Sequence, residues 1–366
     1  MPASHLYIGL MSGTSLDGVD AALVDFAGPQ PDLLATCLLP FPADLRAELL
    51  ALQAPTDNEL DRTARAANAL ATIYAEAVRT VLAQAGVSPD QVAAVGMHGQ
   101  TIRHRPERGY TLQIGNAARL AELCGIAVVA DFRSRDIAAG GQGAPLVPAF
   151  HQGIFGSAQH RVIINIGGIG NITDLPPGGP VRGWDTGPGN VLMDGWIHRH
   201  QGLHYDADGR WAASGKVIPA LLDTLLAEPW LAVPPPKSTG RDLFHADWLE
   251  RCLARSGEVA AADIQATLLA FTARTIADQI RQHAPAAEAA YVCGGGARNG
   301  ALMRALAAEL APRSVATTAV LGVEADWVEA LAFAWLARQC LLRQSGNLPG
   351  VTGAAGPRVL GAIYSA

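Results

Sequence analysis

The feature that most constrains this chain is a strand, a glycine-rich turn and a returning strand around residue 13. Apolar runs at 6–10 and 19–26 flank Met11-Ser12-Gly13-Thr14-Ser15-Leu16-Asp17-Gly18. Glycines 9, 13 and 18 let backbone N–H groups approach an anion, Ser12, Thr14 and Ser15 add hydroxyl donors, and Asp17 offers a carboxylate to a hydrated divalent ion. The pattern implies a phosphate cradle. It is not the Walker type, because no Gly-Lys-Ser/Thr follows and the chain re-enters a strand instead of opening a helix. Taken alone, the segment also reads as an ordinary hairpin with a glycine turn.

The same shape returns at Arg161-Val162-Ile163-Ile164-Asn165-Ile166-Gly167-Gly168-Ile169-Gly170-Asn171-Ile172-Thr173. This echo predicts an equivalent hairpin at the start of each of two halves, gripping the two ends of a polyphosphate. A third glycine turn follows the apolar strand 290–293, where Gly294-Gly295-Gly296-Ala297-Arg298-Asn299 runs into a helix over 301–310, a common way to set backbone against a nucleotide. At 366 residues the chain exceeds the roughly 250–300 at which single cores stop growing, so two domains with a cleft between them are expected. The glycines and prolines of 138–145 mark the break. We place the domains at 1–135 and 136–366, with the C-terminal tail able to return to the first.

Between these motifs, Thr56 and Glu59 have capping-box spacing, and Leu60, Ala64, Ala67, Ala71, Tyr74, Val78 and Val81 recur at steps of four and three. They predict a long amphipathic helix ended at Gly86. Strands at 92–97 and 126–131 and a short helix at 117–124 complete a β-β-α-β-α-β order, that of a mixed sheet covered by helices. Further helices are expected at 263–282 and 326–342. The polar run 206–215 and Val233-Pro234-Pro235-Pro236 read as loops, surface connections rather than a lid.

Composition narrows the function classes. No apolar run approaches the ~20 residues of a membrane span. The net charge of -6 and the scattered arginines point away from nucleic acid. Five cysteines, far apart and without a CxxC pair, fit a reducing compartment and neither a disulfide framework nor a zinc site. With no signal-peptide pattern visible, the cytoplasm is the expected location.

Catalytic chemistry is expected at Gly183-Trp184-Asp185-Thr186-Gly187-Pro188-Gly189-Asn190, where an aspartate is fixed between an aromatic residue and a Gly-Pro-Gly turn. Asp185 is the leading general base; an N-cap or Asx-turn role is the alternative. The histidines form no metal-binding pattern, and His198 and His200 read as a solvated helix end.

Three glycine turns after apolar strands, with an isolated aspartate after the second, resemble the phosphate-1, phosphate-2 and adenosine elements of the actin, Hsp70 and sugar-kinase superfamily. The ordered set narrows this. Residues 9–20, His98-Gly99-Gln100-Thr101, Ala130-Asp131-Phe132-Arg133, Gly140-Gly141-Gln142-Gly143-Ala144-Pro145-Leu146-Val147-Pro148, Asn165 to Asn171, Asp185 to Asn190 and Gly294 to Asn299 together resemble the anhydro-N-acetylmuramic acid kinase family over nearly the whole chain.

The resemblance implies an α/β, two-domain actin/Hsp70/hexokinase-like (ribonuclease H-like) fold with mixed sheets and an interdomain cleft. It implies an ATP- and Mg2+-dependent enzyme of peptidoglycan recycling that opens 1,6-anhydro-N-acetylmuramic acid with water and phosphorylates the released O6. Asp185 would be the base. Gly13, Thr14, Ser15, Leu16, Asp17, Gly18, Val19, Asp20, Gly167, Gly168, Asn171, Gly294, Gly295, Gly296 and Asn299 would hold ATP, with Asp17 reaching magnesium through water and no direct protein ligand to the metal. His98, Gly99, Gln100, Thr101, Arg133, Asp185 and Glu329 would line the sugar site, Arg133 suiting a lactyl carboxylate. Two alternatives stand beside the last roles: Arg133 pairing with Asp131 or Asp136, and Glu329 as a first-turn helix carboxylate. The expected partners are the sugar and ATP, not nucleic acid or membrane, with a homodimer left open. An ordinary hexose or amino-sugar kinase, or an ATP-driven binding protein resembling Hsp70 or actin, are the competing functions.

Overall fold

A computed structural model describes residues 4–13, 16–240, 243–254, 257 and 259–366. Two compact units are present, 1–154 together with 327–366, and 155–326. The division therefore falls at 154/155 rather than 135/136, and the C-terminal segment packs with the first unit. The expected break at 138–145 lies inside that unit because buried Asp136 pins it. Its Oδ2 accepts from Gly143 N (2.8 Å) and its Oδ1 from Asn347 Nδ2 (2.6 Å) and Thr352 Oγ1 (2.7 Å).

In the first unit the strands are β1 (Leu6–Met11), β2 (Gly18–Asp25), β3 (Asp32–Pro40), β4 (Val92–Met97), β5 (Gln100–Arg105), β6 (Tyr110–Ile114) and β7 (Val128–Ala130). The main sheet runs β3-β2-β1-β4-β7 and is closed by the strand Ala362–Tyr364, while β5 and β6 pair as a separate hairpin. β1 is antiparallel to β2 and parallel to β4. The second unit contains β8 (Arg161–Ile166), β9 (Ile169–Leu175), β10 (Arg182–Pro188), β11 (Ala289–Cys293) and β12 (Ser314–Thr317), in the order β10-β9-β8-β11-β12. Again the first hairpin is antiparallel and β8 is parallel to β11. Each unit thus repeats third-second-first-fourth-fifth. The echo between residues 8–20 and 161–173 is an echo of whole sheets, each a mixed sheet with helices, as the resemblance to the actin/Hsp70/hexokinase-like fold implies.

The long helix spans Glu59–Ala85 and stops at Gly86 in the left-handed conformation. Its apolar stripe packs on β2 and β3, and Leu70, Tyr74, Val78 and Val81 are buried in one core with Ile8, Leu10 and Leu23. The expected capping box does not form. Asn58 stands at the N-terminus without a side-chain cap bond, and the Thr56 hydroxyl accepts from Arg62 Nη1 at 2.6 Å instead. β3 and the β5–β6 hairpin were not anticipated; β3 is an edge strand of mostly half-buried residues, whose pattern alternates weakly.

Glycine decides how the opposite face of this sheet is covered. Gly9 and Gly96 are register partners on neighbouring strands, and the helix Val328–Leu341 lies directly over them. A Cβ at Gly9 would run into the Ala330 carbonyl, and one at Gly96 into that of Phe333. Backbone is packed on backbone, so neither neighbour can yield by a rotamer change. This close seat fixes the start of the helix, where Glu329 sits. We predict that Gly96→Ala destabilises the protein by about 1–3 kcal/mol in urea denaturation; a midpoint unchanged from the parent would show that the helix can ride up without cost.

Candidate active site

In the second unit, pairing register assembles the candidate residues. Asp185 on β10 is opposite Asn171 on β9, Asn171 is opposite Asn165 on β8, and Asn165 is opposite Cys293 on β11. Directly opposed residues share a face, so this row joins the base candidate to the second and third glycine turns. The row before it, Trp184, Ile172, Ile164 and Val292, belongs to the core. The polar row lies where the parallel strands β8 and β11 end, the customary ligand edge of such sheets.

The Gly167–Gly168 turn is strapped to the helix Val191–Gln201. Gly189 N and Val191 N donate to the Gly168 carbonyl (2.9 and 3.1 Å), and Asn190 N donates to that of Gly167 (2.8 Å). With these carbonyls engaged, what the turn can offer a ligand is N–H. At Gly294 (φ 78°) the backbone passes so close to Asn165 Oδ1 and the Ile166 backbone that a Cβ would run into them. That Asn165 oxygen is buried and has no partner among the described residues. A glycine turn beside a buried amide oxygen that has no partner fits a nucleotide, which brings both donors and acceptors. Asn299 caps the helix Gly300–Leu310 by accepting from Leu302 N at 3.0 Å, so its side-chain oxygen already serves the fold.

Asp185 is neither an N-cap nor an Asx-turn residue. It lies in β10, at a β-bulge between Asp185 and Gly187 that re-aims the strand. Its N–H donates to the Lys237 carbonyl (3.1 Å), and its Oδ2 accepts from Thr239 N (2.9 Å). Among the described residues, Oδ1 has no hydrogen-bond partner. Burial pushes its carboxyl up to about 6, against the Thr239 N–H and the Lys237 charge, which both pull it down.

Lys237 and Thr239 directly follow the proline run 233–236 that reads from sequence as a loop. Lys237 is instead only 8% exposed. The available signal was composition: Lys216 and Lys237 are the only lysines in an arginine-rich chain.

The first unit brings together most of the expected sugar-site residues. His98 is buried beneath Arg133, which donates to His98 Nε2 from Nη2 (3.0 Å) and Nε (3.3 Å) and to the Gly143 carbonyl from Nη1 (2.9 Å). His98 Nδ1 donates in turn to the Ser12 carbonyl at 3.2 Å. Both ring nitrogens are therefore engaged, and His98 orients Arg133 rather than presenting a nitrogen of its own. Burial and the adjacent guanidinium hold the ring down at about 3. Arg133 hydrogen-bonds neither Asp131 nor Asp136. Burial lowers it to about 10, while Glu329, then Asp136, favours its charged form, so Arg133 and Glu329 are electrostatic neighbours.

The 98–101 turn also holds the first glycine turn. Gln100, fully buried, donates from Nε2 to the Gly13 carbonyl (3.1 Å), and Ser12 Oγ donates to that of Gly99 (3.1 Å). Gln100 Oε1 is buried without a partner among the described residues, whereas Thr101 Oγ1 accepts from Gln113 Nε2 at 3.1 Å.

Of the expected phosphate-1 residues, Thr14 and Ser15 lie outside the described residues. The Leu16 and Val19 side chains are core, at 3% and 0% exposure, so only their backbone can meet a ligand. Gly18 and Asp20 stand in β2, and Asp17 is exposed.

The His98 geometry requires a neutral ring. Its 15N shifts should stay constant from pH 8 to pH 5; an imidazolium appearing in that range would mean that Arg133 is not held by Nε2.

The family model for anhydro-N-acetylmuramic acid kinase matches residues 5–366. The chain is similar to proteins of that name from Cupriavidus pinatubonensis (61% identity, covering 98% of each chain) and Thiobacillus denitrificans (60%, covering 98% of this chain and 97% of the relative). It is similarly related to the one from Nitrosomonas europaea (57%, covering 98% and 99%). Among the described residues, no helix is long and apolar enough to cross a membrane.

Proposed function

Since the chain belongs to the anhydro-N-acetylmuramic acid kinase family, we propose from its residues how it performs that family's reaction. It is an ATP-dependent kinase acting on 1,6-anhydro-N-acetylmuramic acid in peptidoglycan recycling. On our reading the anhydro bridge is opened by water and the sugar is phosphorylated in one passage. Asp185 takes a proton from the water as its oxygen attacks the anomeric carbon, the bond from that carbon to O6 breaks, and O6 attacks the γ-phosphate in line. The products are N-acetylmuramic acid 6-phosphate and ADP.

The observation that carries this reading is the ionisable carboxylate of Asp185 in the same row as Asn171 and Asn165, with Oδ1 uncommitted. Such a base is poised near the working pH and directed by its strand, as proton abstraction from water demands. The nucleotide would be held by the backbone at Gly13 and Gly18, at Gly167 and Gly168, and at Gly294, Gly295 and Gly296, with Asn171 beside them. Magnesium, when bound, would neutralise phosphate charge, and Asp17 would reach it through water. Arg133, oriented by His98 and the Gly143 carbonyl, would receive the lactyl carboxylate, and Glu329 would bind sugar hydroxyls. Gln100, with its open acceptor, and Gly99 and Thr101 would complete the sugar contacts.

Reaction in oxygen-18 water tests the hydrolytic step. The label should enter at the anomeric carbon and be absent from O6, whereas no label at the anomeric carbon would mean an ordinary sugar kinase. Asp185→Asn should lower kcat by about 10²–10⁴-fold with little change in ATP affinity; a variant retaining a tenth of the parent rate would exclude Asp185 as the base. The pH dependence follows from the raised carboxyl. The base form exists above about 6, so kcat/KM should fall with unit slope as pH drops below that value. A limb near the ordinary aspartate value would contradict the burial effect.

A further inference from the structure

We propose that residues 237–239 are the positioning element of the base: the Thr239 N–H fixes one carboxylate oxygen of Asp185, and the Lys237 ammonium supplies the positive charge that keeps it ionised. The inference rests on reading Asp185 as the base and adds to it a residue pair that no motif marked.

Asp185 lies on the outermost strand of its sheet, where β10 has β9 on one side only. The 237–239 segment runs along the other side. One hydrogen bond links the Asp185 N–H to the Lys237 carbonyl, and a second links the Thr239 N–H to Asp185 Oδ2. This two-point attachment sets both the backbone and the carboxylate plane, leaving Oδ1 for the water. The bulge immediately after Asp185 makes such external support necessary, because the regular ladder to β9 is interrupted there.

Lys237 is suited to the electrostatic part. Its Nζ donates to the Leu231 carbonyl at 2.8 Å and lies 4.4 Å from the centroid of the Trp230 ring. Both neighbours are neutral, so they hold the ammonium in place without cancelling its charge. Burial lowers Lys237 to about 8, and the Asp185 charge draws it back up. Among the described residues, His283, at the end of the helix Ala261–His283, also feels the Lys237 charge. Burial, then the charges of Lys237 and Arg182, lowers the His283 ring from its ordinary value. Arg182 is itself bound to buried Asp174. Among the described residues, Lys237 is therefore the cation whose charge acts on Asp185.

The test uses Lys237→Met, Lys237→Gln and Lys237→Arg beside Asp185→Asn. Two readouts are taken: the pH profile of kcat/KM, and the Asp185 carboxyl titration in substrate-free protein, followed by 13C NMR and assigned by its loss in Asp185→Asn. Removing the charge should move the acid limb and the NMR titration upward by about one unit, with KM for ATP little changed. Lys237→Arg should restore both toward the parent. Because Lys237→Gln keeps a donor for the Leu231 carbonyl, a shift shared by Met and Gln reports charge rather than packing. Parent-like titration in a folded Met or Gln variant, or an Arg variant that shifts as they do, would overturn the proposal. If Asp185→Asn is inactive while the Lys237 variants titrate as the parent, the positioning inference falls and the base reading stands. An active Asp185→Asn would instead bring down the base reading itself.

Discussion

Both units depend on one topological constraint: the first strand of a hairpin is antiparallel to its sequence neighbour and parallel to a strand that arrives much later. β1 meets β2 and β4 in this way, and β8 meets β9 and β11. Parallel pairing aligns the strands' C-terminal ends, so the turn that follows each is delivered to the same edge of the sheet. In the first unit these are the turn after Met11 and the turn after Met97, joined through Ser12, Gly13, Gly99 and Gln100. In the second they are the turn after Ile166 and the turn after Cys293, in contact where Gly294 meets Asn165. Close approach of backbone to ligand requires small residues at these turns, and the glycines follow from that geometry.

Electrostatics then separates the two clusters by chemistry. In the second unit a carboxylate is buried with one N–H and one nearby ammonium, enough to keep it ionisable but not enough to return it to an ordinary acidity. In the first unit a guanidinium is buried against a neutral imidazole and a carbonyl, neither of which neutralises it. That charge remains available to an anionic group, and Glu329 balances it in the absence of one. A proton acceptor and an anion receptor are thereby built from opposite solutions to the same problem of burying charge.

Much of the site was legible because its recognition is done by backbone. Glycine turns after apolar strands announce themselves in local sequence, and Asp185, Gly167, Gly168 and Gly294 could be singled out from it. Other parts were not legible. Leu16 and Val19 sit within the cradle motif, yet their apolar side chains pack into the core, Leu16 from the turn and Val19 from β2. His98 stood in the sugar motif, but both its nitrogens are engaged by Ser12 and Arg133, partners 86 and 35 residues distant. Lys237 and Thr239 follow a proline run that resembles any exposed connection, and only docking against β10 gives them a role.

The sequence by itself determined where strands end in glycine, which aspartate follows the second hairpin, and that the two halves share a plan. These are local properties, set by side-chain periodicity and by the conformations that glycine allows. Tertiary structure decided which residues stand beside Asp185 and Arg133, and where one unit gives way to the other. Those outcomes depend on register between strands far apart in the chain and on the seat of the helix Val328–Leu341 over Gly9 and Gly96. A proton affinity is a property of a whole environment, and most of that environment comes from elsewhere in the chain.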